Sequence, residues 1–202
     1  MNRGPADPPD DEQLFTAPAF DAASVFGRRA PLEVEIGSGK ARFLIESAGA
    51  NPSHNFLGLE RSLSYYRLCR ARLARAALPN ARILRADASL FVPALPARSV
   101  RAFHVYFPDP WPKKKQRKRR LLDGVFLEVV ADALEPGGLL RIQTDHPDYG
   151  AALKPLLESV PALERLEWES VPSPPPTHYE IKYRAEGRPI WRFLLRRREL
   201  KN

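Results

Sequence analysis

The feature that most constrains this chain is an alternation, repeated five times, between short apolar runs and helical patterns. The runs Leu32–Ile36, Asn55–Leu59, Arg82–Arg85, Arg101–Phe107 and Leu139–Thr144 have the length and apolar or β-branched character of buried strands. Helical spacing predicts helices at about 40–49, 61–77, 116–134 and 148–159. In the segment 116–134, Leu122, Val125, Phe126, Val129 and Ala133 repeat at i, i+3 and i+4 and mark its expected core face. Strands alternating with helices pair in parallel, and the crossover helices cover both faces of the sheet. Leu163–Val171 and Pro189–Arg197 then read as two consecutive strands joined through VPSPPPTHYEIKYRAEG. An antiparallel hairpin is therefore expected to close a mostly parallel, seven-stranded α/β sheet. With 202 residues, 44% of them hydrophobic, the chain can bury one substantial core. We read residues 31–202 as a single domain behind an N-terminal arm, 1–30, whose polar, Pro-rich and acidic start (about 1–13) is expected to be disordered.

The first strand runs into EIGSGKARF, with Gly37 and Gly39 between a strand and a helix, where backbone can approach a bound nucleotide closely. A phosphate-binding P-loop would need Gly at Val34 and a hydroxyl at Ala41. A dinucleotide fingerprint would need a small residue at Arg42, which disfavours a nicotinamide oxidoreductase. The remaining pattern, an acid two residues before Gly-x-Gly, is that of S-adenosylmethionine enzymes. In a doubly wound sheet, ligands lie across the carboxyl ends of the strands. Three acids stand at such ends: Glu35 for the cationic amino-acid part of the cofactor, Glu60 for its ribose hydroxyls and Asp87 for the adenine amino group.

The fourth strand ends in VYFPDPWPKKKQRKRR. Pro108, Pro110 and Pro112 fix φ and remove N–H groups, holding Asp109 and Trp111 on a stiff loop above the expected cofactor. Trp111 either stacks on a base or packs the loop to the core. Residues 113–120 then carry seven cations in eight positions, expected at a helix N-terminus, where they repel one another and the macrodipole. Phosphates are the natural compensating groups.

The net charge of +8, concentrated at 113–120 and 182–201, points to a polyanion, nucleic acid before membrane. No apolar run approaches spanning length, and the N-terminus has no apolar signal region, so a cytoplasmic protein is expected. Cys69 is the only cysteine and reads as a small structural residue in a reducing compartment. His54, His104, His146 and His178 show no metal-ligand spacing, and no metal is expected. Nothing in the sequence demands a protein partner; a monomer or a homodimer suits it.

FPDPWPKKKQRKRR closely resembles the signature of the bacterial tRNA (guanine-N7)-methyltransferases, the TrmB type. LEVEIGSGKARFL, FLGLE, RADA, PGGLLRIQTDHPDY and THYEIKYRAEGRPIWRF agree, so that the resemblance covers about residues 30–197. It implies the class I, Rossmann-like methyltransferase fold and a S-adenosylmethionine-dependent enzyme that methylates N7 of the guanosine at position forty-six, in the variable loop of tRNA. It implies Glu35, Glu60, Asp87 and Asp109 as cofactor contacts, with Asp109 also catalytic. Lys113, Asp145 and the motif Thr177, His178, Tyr179, Glu180 become substrate contacts. Lys114, Lys115, Gln116, Arg117, Lys118, Arg119 and Arg120 become RNA contacts. Relatives are often His-rich within the basic run; here it reads KKQRK, so no histidine contact is carried over. A tRNA-binding protein on the same scaffold without turnover is the alternative, disfavoured because the glycine loop and the strand-end acids are intact.

Overall fold

The computed structural model describes residues 20–199, and the start of the expected N-terminal arm, about residues 1–13, lies outside them. Leu32–Ile36 (β1), Asn55–Glu60 (β2), Ala81–Arg85 (β3), Val100–Tyr106 (β4), Leu134–Thr144 (β5), Leu163–Leu166 (β6) and Trp191–Arg197 (β7) form one sheet in the order β3-β2-β1-β4-β5-β7-β6. The first five strands pair in parallel, and β7 lies antiparallel between β5 and β6. The helices are α1 (Ala22–Phe26), α2 (Arg42–Ala50), α3 (Leu63–Ala76), α4 (Ala88–Phe91), α5 (Gly124–Ala133), α6 (Pro147–Glu158) and α7 (His178–Ala185). From β1 the chain crosses outward to β2 and β3, then returns to build β4 and β5 on the other side. The direction reverses between β1 and β4, which opens a crevice at their carboxyl ends.

Both faces of the sheet are covered. The six residues of β2 are all buried, as a central strand requires. On one face, Val34, Leu57, Phe103, Leu140 and Ile142 pack with Phe126, Leu127 and Val130 of α5 and with Leu153 and Leu157 of α6. Phe20 and Phe26, flanking or within α1, are buried in the same cluster. On the other face, Leu44 and Ala48 of α2 meet Tyr66 and Cys69 of α3 over Phe56 and Ile83.

Three elements depart from the sequence expectation. The helix expected over 116–134 is two pieces, a 3-10 segment at Lys114–Arg119 and α5 from Gly124. Asp123 starts α5 by accepting a hydrogen bond from the Phe126 N–H at 2.9 Å, and Arg120 before it is extended. The crowded cations therefore sit on their own short segment, not at the N-terminus of α5. The buried face of α5 is also shifted: Val125, expected inside, is 73% exposed, and Phe126, Leu127, Val130 and Ala131 turn inward. The strand expected over 163–171 stops at Leu166 and gives way to a 3-10 turn at Trp168–Ser170. Finally, α7 interrupts what was expected to be a loop between the last two strands. Thr177 caps it, accepting from the Glu180 N–H at 3.0 Å. Thr-x-x-Glu is a capping-box pattern that the preceding prolines obscured.

Candidate active site

The loop after β1 is built by what surrounds it. Gly37 and Gly39 have φ of 81° and 52°, in the left-handed region that glycine enters without strain. Gly37 N–H donates to Leu59 O at 2.8 Å, and Gly39 N–H to Glu60 Oε2 at 2.9 Å. The other Glu60 oxygen accepts from Ser62 N–H at 2.8 Å. Beneath the loop, a methyl group at Gly58 would strike Ser38 Oγ and stand 2.7 Å from Ile83 and 2.9 Å from Leu44, so the loop can lie on β2 only because position 58 has no side chain. Cys69 fits this role: its buried thiol donates to Gly39 O at 3.1 Å, and burial pushes its pKa up to about 12. It is an inert brace.

A cavity of about 410 Å³ opens over this loop. Glu35, Gly37, Gly39, Thr177, His178 and Tyr179, all expected site residues, line it together with Phe43, Tyr65, Tyr106 and Lys182. Glu35 lies at its base, 4% exposed, with Oε2 buried and unpartnered. Burial pushes its carboxyl up to about 8, the neighbouring Ser38 hydroxyl offsetting part of this and the Glu60 charge adding to it. A buried acid with an unused oxygen is a receptor for a cationic or hydrogen-bond-donating ligand. Asp87 caps α4, accepting from Ser89 N–H at 3.0 Å and Ser89 Oγ at 2.7 Å, with Arg61 3.4 Å away.

Behind the cavity runs a polar chain that sequence reasoning missed. Tyr106 OH lies 2.9 Å from His104 Nδ1, His104 Nε2 lies 2.8 Å from one Glu33 oxygen, and His54 Nδ1 lies 2.7 Å from the other. Burial holds His104 neutral. The neutral ring then donates from Nε2 to Glu33 and accepts at Nδ1 from Tyr106. Burial alone would raise the Glu33 carboxyl, but the hydrogen bonds with His104 and His54 outweigh it and hold it well below the usual carboxylate range. The chain fixes the Tyr106 hydroxyl at the cavity wall.

The loop after β4 forms the opposite lip of the crevice. Phe107 and Trp111 have φ of 53° and 41°, costly for bulky residues, and they bracket the Pro-Asp-Pro sequence. Two bonds pin it: Phe107 N–H to Gln143 O and Arg120 Nε–H to Pro110 O, each 2.8 Å. Asp109 is exposed at its tip and, among the described residues, has no hydrogen-bond or ion-pair partner. Trp111 is half-buried with the Arg119 guanidinium 5.1 Å over its ring.

The remaining expected residues divide. Lys113, Lys114, Lys115, Arg117, Lys118 and Arg119 are exposed, and Gln116 is half-buried. Arg120 is the exception in the run: it turns inward, bonded to Pro110 and lying 4.4 Å over the Tyr149 ring, and so braces the loop instead of facing outward. Asp145, at the end of β5, is held by Arg188 at 2.9 Å. Glu180 is buried and paired with Arg184 and, at 3.1 Å, with Arg192 of β7. His178 Nε2 is 3.3 Å from Arg72. Among the described residues no group of three or more potential metal ligands converges, and no helix is long and apolar enough to cross a membrane.

Residues 29–193 match the family model described as "Putative methyltransferase". The chain is 37% identical over 182 residues to the tRNA (guanine-N(7)-)-methyltransferase of Bordetella pertussis, covering 88% of this chain and 72% of that one. It is 36% identical over 185 residues to the protein of the same name from Erythrobacter litoralis, covering 88% and 79%. The crystal structure of the aminoglycoside resistance methyltransferase NpmB1 superposes with a TM-score of 0.61 at 18% identity, covering 92% of this chain and 94% of that one. At that identity the likeness is one of fold.

Proposed function

The chain belongs to the family of tRNA (guanine-N(7)-)-methyltransferases, and on that premise we propose that it transfers a methyl group from S-adenosylmethionine to N7 of a guanosine in the variable loop of tRNA, at position forty-six. The observation that supports this reading is that Tyr179 lines the cavity holding Glu35, whose Oε2 is unpartnered, and stands 6.3 Å from Phe107, the first residue of the loop presenting Asp109. The enzyme acts in the cytoplasm as a monomer or homodimer, with residues 31–202 as its single catalytic domain.

The cofactor, when bound, supplies a methyl group on a positively charged sulfur. The residues of the cavity fit such a group: Glu35, with its unused Oε2, would face the cationic amino-acid part and Gly37 and Gly39 would admit it close to the backbone, while Glu60 and Asp87, outside the cavity lining, would hold its ribose and adenine. Glu60 already accepts two backbone bonds, yet each carboxylate oxygen has a second lone pair for a hydroxyl. Guanine N7 has an in-plane lone pair and no hydrogen, so no base must remove a proton before attack. Catalysis rests on alignment and on negative charge near a purine that becomes cationic. Asp109 supplies that charge. Asp145 accepts from the guanine N1–H and 2-amino groups. Glu180, paired with Arg184 and Arg192, serves to anchor α7, which carries Thr177, His178 and Tyr179 to the cavity.

The exposed cations Lys113–Arg119, without Arg120, bind tRNA phosphates. Replacing Lys114, Lys115 and Lys118 with Gln should lower tRNA affinity and reduce its salt slope by roughly 2–3, the sum for three phosphate contacts, while S-adenosylmethionine affinity stays parental. Filter binding across a salt series, with calorimetry for the cofactor, reads both. Equal slopes would move phosphate binding elsewhere.

The function itself is tested with tRNA transcripts whose variable-loop guanosine is replaced by 7-deazaguanosine. This substrate keeps the shape of the base and lacks the nucleophile. Methyl incorporation should disappear; incorporation at the parental level would refute the reading.

A further inference from the structure

Among the acids assigned to the base in the proposed function, Asp145 already has a partner of unusual aptness. Arg188 Nη1–H donates to Asp145 Oδ2 at 2.9 Å, its Nε–H donates to Glu186 Oε2 at 2.7 Å, and its guanidinium carbon lies 4.5 Å over the Tyr183 ring. The guanidinium is planar, lies over an aromatic face, and gives one N–H to each of two carboxylates. The Watson–Crick edge of guanine contains the same unit, since N1–H, C2 and the 2-amino group are part of a guanidine built into the ring. A guanine edge at Asp145 would take the place of the Arg188 Nη1–H bond, on the face of the same tyrosine. The surroundings suit a base: Phe107 and Tyr179 stand 5.3 Å and 5.8 Å from Tyr183, and Tyr179 lines the cofactor cavity. Arg188 itself follows Gly187, whose φ is 68°, in the exposed turn between α7 and β7, and its side chain is 46% exposed. It can leave its place without disturbing the core.

We propose that Arg188 occupies the guanine position in the free protein and yields it only to a guanosine carried on a polynucleotide, whose phosphates draw the guanidinium off Asp145 and Tyr183. Arg188 is then a specificity-determining residue. It withholds the base site from free guanine compounds and, once displaced, becomes a phosphate contact. The inference rests on the reading that Asp145 receives the guanine. Arginine suits both states, because its flat fork pairs with carboxylate or phosphate and stacks on rings, whereas lysine offers only a point charge.

The test compares the parent with Arg188→Ala, Arg188→Lys and Asp145→Asn, each checked for an unchanged thermal melt. Free guanosine binding is followed by ligand-observed NMR, and tRNA binding across a salt series. Both Arg188 variants should bind guanosine more tightly, by up to about fivefold, the factor that an exposed ion pair of at most ~1 kcal/mol can withhold. Arg188→Ala should also weaken tRNA binding and reduce its salt slope by roughly 0.7–0.9, one phosphate, while Arg188→Lys keeps the parental slope. A mere brace for the turn would give the opposite sign for guanosine. Guanosine binding that is unchanged, weaker or undetectable in both Arg188 variants overturns the proposal. Parental tRNA turnover in Asp145→Asn overturns instead the assignment of Asp145 to the base, and the proposal falls with it. Impaired turnover in Asp145→Asn together with no gain in the Arg188 variants overturns the proposal alone.

Discussion

Asp109→Asn should retain S-adenosylmethionine and tRNA binding while single-turnover methylation slows by roughly 10²–10³-fold, about 2.7–4 kcal/mol on the scale of preorganised electrostatic stabilisation. The substitution keeps shape and polarity and removes only the charge. It breaks no internal contact, because the described residues include no hydrogen-bond or ion-pair partner for Asp109. The loop is held by other means: the positive φ at Phe107 and Trp111, the prolines, and the bonds to Gln143 and from Arg120. A loss of turnover therefore reports on the charge at the tip and not on a collapsed loop. Since N7 needs no deprotonation, the parental rate at saturating substrates should stay nearly flat from neutral pH upward. Parental turnover in the variant would make Asp109 a loop residue and shift the electrostatic role to Asp145.

A comparably large effect is expected at Glu35, with opposite signs for stability and binding. Its carboxyl ionises at about 8 in the folded protein against 4.5 for an ordinary glutamate. The unfolded chain thus releases this proton first as pH rises. The contribution of Glu35 to stability is fully present below about 4.5, declines as pH climbs, and beyond about 8 is a cost of roughly 3–5 kcal/mol in the unliganded protein. Glu35→Gln removes the charge that burial opposes. The unliganded variant should melt well above the parent near pH 9 and about level with it near pH 4.5. Its affinity for S-adenosylmethionine should fall by about 1.5–3 kcal/mol, the range for a hydrogen bond to a charged group. The parent should release close to one proton on binding the cofactor at neutral pH, visible by calorimetry in buffers of different ionisation enthalpy, and the variant none. Equal melting of the two proteins near pH 9 would contradict the burial of the Glu35 carboxyl.

The sheet was legible because burial on both faces leaves continuous apolar runs, as at Asn55–Glu60, and because Gly37 and Gly39 follow a strand directly. The acids at strand ends were legible for the same reason. What misled was local chemistry in competition with periodicity. Leu121 and Leu122 extend the helical pattern of α5 backward, but Asp123 begins the helix, and the residues before it pack from a loop. In Thr177-His-Tyr-Glu180 the cap is present in the sequence, its two members three residues apart, but the prolines before it carry a loop signal that masks it. Partners distant in sequence left no local signal. Glu33 and His104 are 71 positions apart, and Asp145 and Arg188 are 43, so these pairings exist only once β1 lies beside β4 and the turn after α7 reaches β5. Half of the pattern at His104 was visible, since His104 and Tyr106 alternate on one face of a strand.

The central claim, that the crevice between β1 and β4 delivers a methyl group to guanine N7 of tRNA, is tested most directly by locating the product. Unmodified tRNA transcript is incubated with the full chain and methyl-labelled S-adenosylmethionine, digested to nucleosides, and separated. The label should co-migrate with 7-methylguanosine and vanish from transcripts lacking the variable-loop guanosine. Label in any other nucleoside, or tight tRNA binding with no transfer, would contradict it.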